Sequence, residues 1–157
     1  MKRCLGCPGD TVKIQNGYYI HPKTGEEIIC NEYSRRLHEA SDSVLVAEGV
    51  VVDAFQINRK MNWTIRDFGP LFVPAKGSEV HLTPLNYKSY KKQIQYETGM
   101  NLKREGSLIK LDDQIIDSYV FQSDWYFFAG DNVLNSKDSR YFGLVPEEYI
   151  IGVVRGK

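Results

Sequence analysis

The side chains best suited to chemistry are concentrated in two short segments near opposite ends of the chain. The first, KRCLGCPGD at residues 2–10, places Cys4 and Cys7 in a C-x-x-C pair. The second, DNVLNSKDSR at residues 131–140, combines hydroxyl, carboxylate and guanidinium groups. Thiols at this spacing could form a redox pair or half of a zinc site. Taken alone, the second segment is typical of a polar loop stabilised by Asx turns.

The residues around the two cysteines favour a structural role for them. A redox C-x-x-C normally opens a helix, whereas here Pro8-Gly9-Asp10 follows at once and predicts a turn. A zinc site needs further ligands, and neither Cys30 nor the three histidines show a matching spacing. We therefore predict no metal and no cofactor, and we interpret Cys4 and Cys7 as small apolar strand residues. Zinc or redox chemistry is the alternative.

Two other patterns imitate catalytic motifs. SYKK at residues 89–92 fits S-x-x-K and KTG at residues 23–25 fits K-T-G, but penicillin-binding enzymes have these two motifs in the opposite order. No serine lies in a G-x-S-x-G elbow, so a histidine-based triad also lacks support.

The two segments together resemble the signatures of type I signal peptidases. KRCLGCPGDTV resembles the K-R-x-x-G-x-P-G-D segment of that family, and GDNVLNSKDSRYFGLVPEEYIIG resembles G-D-N-x-x-x-S-x-D-S-R-Y-x-G-x-V-P. Between them, NWTIRDFGPLFVPAKG and LNYKSYKKQIQYETG are similar to the inserted region of the versions found in Bacteroidetes-like bacteria. The resemblance covers almost the full chain, and it favours a functional role for the polar loop.

The resemblance implies a serine endopeptidase that removes signal peptides from exported preproteins, with a serine nucleophile and a lysine general base. By motif position the base is Lys2. A free lysine has a pKa of about 10.4 and is almost fully protonated at neutral pH. We therefore expect Lys2 to be buried among apolar side chains, because burial disfavours the charged amine.

The supporting residues implied by the resemblance belong to both segments: Arg3, Asp131, Ser136, Asp138 and Arg140. The first two would form an ion pair that ties the segments together, the hydroxyl would orient the lysine amine, and the last two would form a second ion pair. Such supporting groups fix the geometry of a site. One departure is Val133-Leu134, where many family members have a basic residue, which puts a local salt bridge in doubt.

The family's nucleophile lies in an S-M-x-P-T-type segment upstream of the lysine, after one or more membrane anchors. None of the ten serines in these 157 residues has that context. We therefore expect the chain to be the C-terminal part of such an enzyme and to be inactive by itself. The parent protein would lie on the outer, periplasmic face of the bacterial cytoplasmic membrane, held by an N-terminal anchor absent from this sequence. The alternative is a non-catalytic relative that binds peptides or acts as a scaffold.

The charge and hydropathy of the sequence limit the kinds of partner that the chain is expected to bind. Twenty Lys and Arg balance twenty Asp and Glu, and the pI is about 6.8, so no basic excess indicates nucleic acid. No apolar run in the sequence approaches the ~20 residues that span a bilayer. The expected partners are the signal peptides of exported preproteins, with contact to a membrane only through the absent anchor.

Hydrophobic alternation and turn signals predict a mainly β fold of coiled antiparallel sheets, similar to that of signal peptidases. Asn16-Gly17 predicts a hairpin, and one clear helix is expected near residues 84–98. We predict a single domain over residues 1–157, with or without an inserted subdomain around residues 33–110.

Several other stretches carry weaker signals. Residues 27–33 could return as a strand, and residues 33–42 could form a short helix or a loop. The β-branched residues of SVLVAEGVVVDAFQI, at 43–57, favour a strand. EYIIGVV at 148–154 is also typical of a strand.

Overall fold

Short strands dominate the computed structural model, which describes residues 2–28 and 31–154. In chain order the strands are β1 Arg3–Gly6, β2 Thr11–Gln15, β3 Tyr18–Ile20, β4 Glu27–Ile28, β5 Phe68–Phe72, β6 Glu79–His81, β7 Leu102–Glu105, β8 Leu108–Leu111, β9 Gln114–Ile116, β10 Ser118–Val120, β11 Trp125–Ala129 and β12 Val145–Pro146. The helices are α1 Glu32–Glu39, α2 Asp42–Ala47, α3 Tyr87–Thr98 and α4 Ser139–Phe142, with 3-10 turns at Gln56–Met61 and Glu147–Tyr149. The predicted mainly β fold is confirmed.

The strands form four antiparallel sheets. Their orders are β1-β11-β12, β4-β3-β2-β5, β7-β8-β9 and β10-β6. The β1 strand pairs only with β11, so its second edge carries no described strand. Phe127 of β11 packs 5.5 Å from Phe68 of β5, measured between ring centroids, which joins the first two sheets through a shared core.

The hairpin predicted from Asn16-Gly17 joins β2 and β3. Both turn residues have positive φ, 52° for Asn16 and 87° for Gly17, as a two-residue turn of this kind requires. Val12 and Ile14 alternate inward along β2 and are buried. The turn chemistry and the period of two therefore specify this hairpin locally.

The predicted helix near residues 84–98 is α3. It ends at Gly99, whose φ of 70° is the left-handed conformation common after a helix. Serine, tyrosine, glutamine and isoleucine side chains make its buried face: Ser89, Tyr90, Gln93 and Ile94. Among the described residues, no helix has both the length and the apolarity needed to cross a bilayer.

Glu97, in the last turn of α3, fixes the helix against the segment that leads into β11. Its carboxylate accepts hydrogen bonds from the Tyr119 hydroxyl and the Trp125 indole, each at 2.9 Å. It also accepts from the backbone N–H groups of Gln122 and Ser123. Because Trp125 opens β11, this carboxylate helps to set where that strand begins.

The strand predicted over residues 43–57 is wrong. Ser41 caps the N-terminus of α2 and its side chain accepts from Val44 N, so the segment begins as a helix. Only Leu45 of this helix is buried, while Val44 and Val46 are exposed. The β-branched composition favoured a strand, but the cap and the single inward-facing leucine fit a short helix.

Of the two neighbouring predictions, one needs correction and the other is confirmed. The strand expected over residues 27–33 is limited to β4, and α1 begins at Glu32 behind the Asn31 cap, where Asn31 and Ser34 form a reciprocal capping box. The short helix allowed for residues 33–42 is thus present. Ile29 and Cys30 lie outside the described residues.

The strand expected over residues 148–154 is also absent. Among the described residues after β11, the only strand is β12, which precedes this stretch, and a 3-10 turn follows it at Glu147–Tyr149. Ile151, Val153 and Val154 are exposed. A strand needs a hydrogen-bonding neighbour, and no described strand pairs with residues 150–154. The division of the chain into a domain with an inserted subdomain stays a prediction.

Candidate active site

The pairing of β1 with β11 brings the two chemistry-bearing segments together. Arg3 lies opposite Ala129 and Cys4 opposite Phe128 in the antiparallel ladder. The residue before β1 and the loop after β11 therefore emerge at the same end of the sheet. Lys2 and Ser136 become neighbours although 134 positions separate them in the sequence.

Lys2 reaches the polar loop with its amine. Its Nζ donates to Ser136 Oγ at 2.5 Å. The residue as a whole is exposed, so the expectation that Lys2 is buried is wrong for the described chain. Lys2 precedes an edge strand, and no described strand covers the free side of β1. The amine is therefore hydrogen-bonded on the side of Ser136, and no described strand lies on its other side.

The Ser136 hydroxyl connects this amine to a buried carboxylate. Ser136 Oγ donates to Asp138 Oδ2 at 2.7 Å while it accepts from Lys2. A hydroxyl has a single proton, so Ser136 cannot also donate to the amine. The arrangement suits Ser136 to orient Lys2. A neutral amine held in this way would keep its lone pair for a proton from another group.

Asp138 and Arg140 form an ion pair that is fully buried, with 0% exposure for both side chains. Arg140 Nε donates to Asp138 Oδ1 and Nη2 donates to Oδ2, each at 2.9 Å. Asp138 Oδ2 also accepts from Gly130 N at 3.0 Å. Every heteroatom of the carboxylate is therefore hydrogen-bonded, as a buried charge requires.

The charges of this pair follow from their surroundings. Burial alone would raise the pKa of Asp138, but the hydrogen bonds and positive charge of Arg140, together with donation from Gly130 and Ser136, outweigh it and lower that pKa. Burial also disfavours the charged form of Arg140, and Asp138 more than compensates, so the pKa of Arg140 is raised. Both groups are ionised across the neutral range.

An outer ion pair links the two segments at the surface. Arg3 Nε and Nη2 donate to the two oxygens of Asp131 at 2.9 and 2.8 Å, in the bidentate arrangement. The hydrogen bond from Arg3 lowers the pKa of Asp131. Asn31, the cap of α1, donates to the Asp131 backbone oxygen at 3.0 Å. The Asp131 loop is thus held by its side chain and its backbone.

The residues implied by the resemblance therefore lie in one cluster made of two hydrogen-bonded sets, which adjoin because Lys2 and Arg3 are consecutive. The sets are Lys2, Ser136, Asp138 and Arg140, and Arg3 with Asp131. Sequence reasoning missed Asn31, because its contact depends on how α1 packs. Ser139 belongs to the second segment, where the resemblance implies a supporting role, and its hydroxyl accepts from Phe128 N at 3.0 Å and fastens α4 to β11.

Gly130 is a second residue whose part in the site was not predicted. A Cβ at this position would collide with Ser136 Oγ, would lie 2.8 Å from Ser136 Cβ and would lie 3.3 Å from Lys2 Nζ. The absence of a side chain therefore lets the lysine and the serine meet. The sequence shows this glycine within its motif, but the packing reason becomes visible only in three dimensions.

The apolar pair Val133-Leu134 is accommodated within the loop. Val133 is 1% exposed and belongs to the hydrophobic core, and Leu134 packs against that core. The Val133 carbonyl accepts from Arg140 Nη1 at 3.1 Å. The guanidinium thus uses a backbone oxygen here, and the buried ion pair does not require a basic residue at these positions.

Cys4 and Cys7 differ from the sequence interpretation. Cys4 lies in β1, but Cys7 follows the strand, and both are exposed. Their Sγ atoms are 3.9 Å apart. In the described residues, no three His, Cys, Asp or Glu side chains are grouped so that they could hold a metal ion. Cys30, which the zinc hypothesis considered, lies outside the described residues.

Comparison with known families identifies the family to which the chain is similar. A family model described as signal peptidase, peptidase S26, matches residues 1–156. The chain belongs to the signal peptidase family. A search of curated proteins gave no significant match.

Membership confirms the resemblance to type I signal peptidases and supports a signal peptidase function of the serine type. The family is membrane-associated. The role of each residue in the cluster stays a prediction that the geometry motivates.

The Gly130→Ala substitution should destabilise the signal-peptidase chain and separate Lys2 from Ser136. The added methyl group would overlap the Ser136 side chain, and overpacking of this kind costs about 1–3 kcal/mol. Urea unfolding of both proteins would measure the loss. Gly152→Ala is the matched control, because a Cβ there meets nothing within 4 Å. Equal stabilities for the two variants would contradict the packing argument.

The Asp138→Asn substitution should cost about 3–5 kcal/mol near neutral pH, because it leaves Arg140 buried without its charged partner. The pKa of Asp138 is lowered in the folded chain, so its contribution is complete above the unfolded pKa of about 3.9. That contribution is lost as the pH falls through the lower, folded value. Urea unfolding from about pH 6 to about pH 2 would measure it.

The difference in unfolding free energy between wild type and Asp138→Asn should therefore shrink as the solution becomes acidic. Subtracting the two proteins removes the common contribution of other carboxylates, including Asp131. Asp117→Asn, at an exposed position, should change little at any pH. A wild-type advantage that is constant down to about pH 2 would contradict the assignment of a charged Asp138.

Proposed function

We propose that the chain is the base-bearing C-terminal part of a signal peptidase that cleaves signal peptides from exported preproteins, with Lys2 as the general base. One observation carries this proposal: Lys2 Nζ is hydrogen-bonded to Ser136 Oγ, whose proton is directed to the buried Asp138. The contact fixes the direction of the amine without consuming the lone pair that a base needs.

The nucleophile in this proposal is a serine that these 157 residues do not supply. Ser136 is the only serine with a hydrogen bond to Lys2 in the described chain, and its proton is already committed to Asp138. The reacting serine would come from an S-M-x-P-T-type segment on the open side of Lys2. The same segment would follow the anchor that holds the parent protein on the outer, periplasmic face of the cytoplasmic membrane.

The proposed reaction follows the general scheme of serine acyl transfer. The neutral Lys2 amine takes the serine proton as the serine oxygen attacks the scissile carbonyl, and the resulting ammonium then protonates the departing amine. A water molecule, deprotonated by Lys2, attacks the acyl-enzyme, and the resulting ammonium protonates the serine oxygen as it leaves, which restores the serine and the neutral amine. Lys2 thus acts twice as a base and twice as an acid.

The exposure of Lys2 is consistent with this reaction if other groups cover it during catalysis. The free edge of β1 is open to an extended peptide, which would add to the sheet by backbone hydrogen bonds. A bound signal peptide and the serine segment would together exclude water from the amine. Desolvation disfavours the charged form and so favours the neutral base. Small residues before the cleavage point would let the peptide approach the edge closely.

A second candidate function is a non-catalytic module that binds extended peptides. The observation that favours it is the solvent-exposed Lys2, since a base of this type works as a neutral amine. This candidate keeps peptide binding at the edge of β1 and lacks turnover. If the chain joined to a serine-bearing segment binds a signal peptide without cleaving it, this second candidate function is the correct one.

The purified chain by itself should not cleave a peptide that carries an A-x-A-type signal peptidase site. A base without a nucleophile, and without the oxyanion donors of the missing segment, supplies little of the catalysis. Mass spectrometry of the peptide after incubation with the chain would show intact substrate. Products formed above the buffer blank would contradict the assignment of the nucleophile to another segment.

Lys2→Met, made in the chain joined to its serine-bearing segment, should lower kcat/KM by at least ~10²–10⁴-fold because the general base is lost. Methionine is similar in length, so the fold should persist, which circular dichroism would check. Lys13→Met, at an exposed position of β2, is the matched control and should leave the rate unchanged. If the Lys2 variant keeps its turnover, Lys2 is not the base.

A further inference from the structure

The thiols of Cys4 and Cys7 take no part in the proposed proteolysis, yet they lie side by side. Their Sγ atoms are 3.9 Å apart, and both side chains are exposed. A disulfide has an S–S distance of about 2 Å, so a small side-chain movement separates this pair from a bond.

Both sulfur atoms are held on anchored backbone. Cys4 lies in β1 opposite Phe128, and the register shifts between Cys4 and Gly6. Such a bulge re-aims the side chains of an edge strand. Gly6 has no room for a Cβ, because one would lie 2.5 Å from Val12 Cγ2 and 3.0 Å from Val73 Cγ2. The backbone between the two cysteines is therefore packed directly on the core.

Cys7 begins a turn that is fixed at both ends. Asp10 N donates to the Cys7 carbonyl at 3.0 Å, and Cys7 N donates to Asp10 Oδ2 at 2.9 Å. Gly9 N donates to the Val73 carbonyl, and Val73 N donates to the Asp10 carbonyl, each at 2.8 Å. The proximity of the thiols is thus imposed by the fold around them.

The two cysteines line an open cleft of about 220 Å³. The residues that line it with the two cysteines are Leu5, Asp10, His21, Pro22, Lys23 and Ile28. Structural zinc takes four ligands, and the described chain groups no three potential ligands here. Exchange with disulfides is the chemistry that two adjacent, accessible thiols can still perform.

We propose that Cys4 and Cys7 are a redox-active dithiol that closes to an intramolecular disulfide by exchange with an external disulfide. This site is separate from the proteolytic cluster, and it does not depend on the proposed function. Its closed form would tie β1, the strand that follows Lys2, to the turn at Cys7–Asp10.

The exchange proceeds in two balanced steps. The Cys7 thiolate attacks one sulfur of an external disulfide, R–S–S–R, forming Cys7–S–S–R and releasing one RS⁻. The Cys4 thiolate then attacks Cys7 Sγ, forming the Cys4–Cys7 bond and releasing the second RS⁻. The two thiol protons pass to the two RS⁻ groups, and two electrons pass from the cysteines to the external disulfide.

The order of attack follows from the surroundings of Cys4. Partial burial and the neighbouring Cys7 raise the pKa of the Cys4 thiol to about 11. Cys4 is therefore protonated in the reduced pair, and it is the thiol that attacks second.

Oxidised and reduced glutathione at graded ratios provide the test, applied to the full folded chain. After alkylation of free thiols, trypsin cuts after Arg3 and Lys13, so one peptide, residues 4–13, contains both cysteines. At reducing ratios we expect this peptide to carry two alkyl groups. As the ratio becomes more oxidising, that form should be replaced, in one two-electron transition, by a form without alkyl groups that has the mass of the closed disulfide. The peptide of residues 24–35 carries Cys30 and reports separately on that thiol.

The same titration in urea measures the C-x-x-C pair without the fold. We expect the equilibrium constant for disulfide formation to be at least about tenfold larger in the folded chain, which corresponds to about 30 mV in potential. Cys4→Ser and Cys7→Ser should each form only a mixed disulfide with glutathione. Three results would each overturn the proposal. The first is two alkylated cysteines in peptide 4–13 at every glutathione ratio, and the second is the formation of mixed disulfides alone in the wild type. The third is an equilibrium constant for disulfide formation that is equal or larger in urea.

Discussion

The buried ion pair between Asp138 and Arg140 is the interaction on which the geometry of the site depends. Both side chains are at 0% exposure, so each charge is stable only because the other, with a full set of hydrogen bonds, replaces water. The carboxylate must receive donors, and Gly130 N and Ser136 Oγ provide two of them. The positions of Gly130 and Ser136 therefore follow from the needs of the charge, and the position of the Lys2 amine follows from Ser136.

The outer pair, Arg3 with Asp131, has a different role. Its side chains are 54% and 52% exposed, and ion pairs of that kind contribute about 0–1 kcal/mol and weaken with salt. The bidentate contact nevertheless aligns β1 with the loop after β11. Removal of one charge of the buried pair costs about 3–5 kcal/mol. Stability therefore resides mainly in the inner pair, while the outer pair sets alignment.

Local signals and specific motifs explain which features could be predicted from the sequence. Asn16-Gly17 predicts a hairpin because both residues can adopt the positive φ values that the turn requires. The motif residues predict the two ion pairs, Arg3 with Asp131 and Asp138 with Arg140. The helix α2 was missed because a cap and one buried leucine, Leu45, outweigh a β-branched composition. The exposure of Lys2 and the steric need for Gly130 depend on what packs beside them. Neither feature can be inferred from the residues that are adjacent in the sequence.

The direction of each hydrogen bond in the cluster is determined by the carboxylate, two groups away from the amine. Arg140 and the neighbouring donors keep Asp138 ionised, since they lower its pKa despite burial. An ionised carboxylate only accepts, so Ser136 must donate to it and can only accept from Lys2. Reversing the Lys2–Ser136 bond would require a protonated Asp138, which the adjacent guanidinium opposes. The orientation of the amine is thus maintained at every pH at which Asp138 stays charged, whatever the protonation state of the lysine itself.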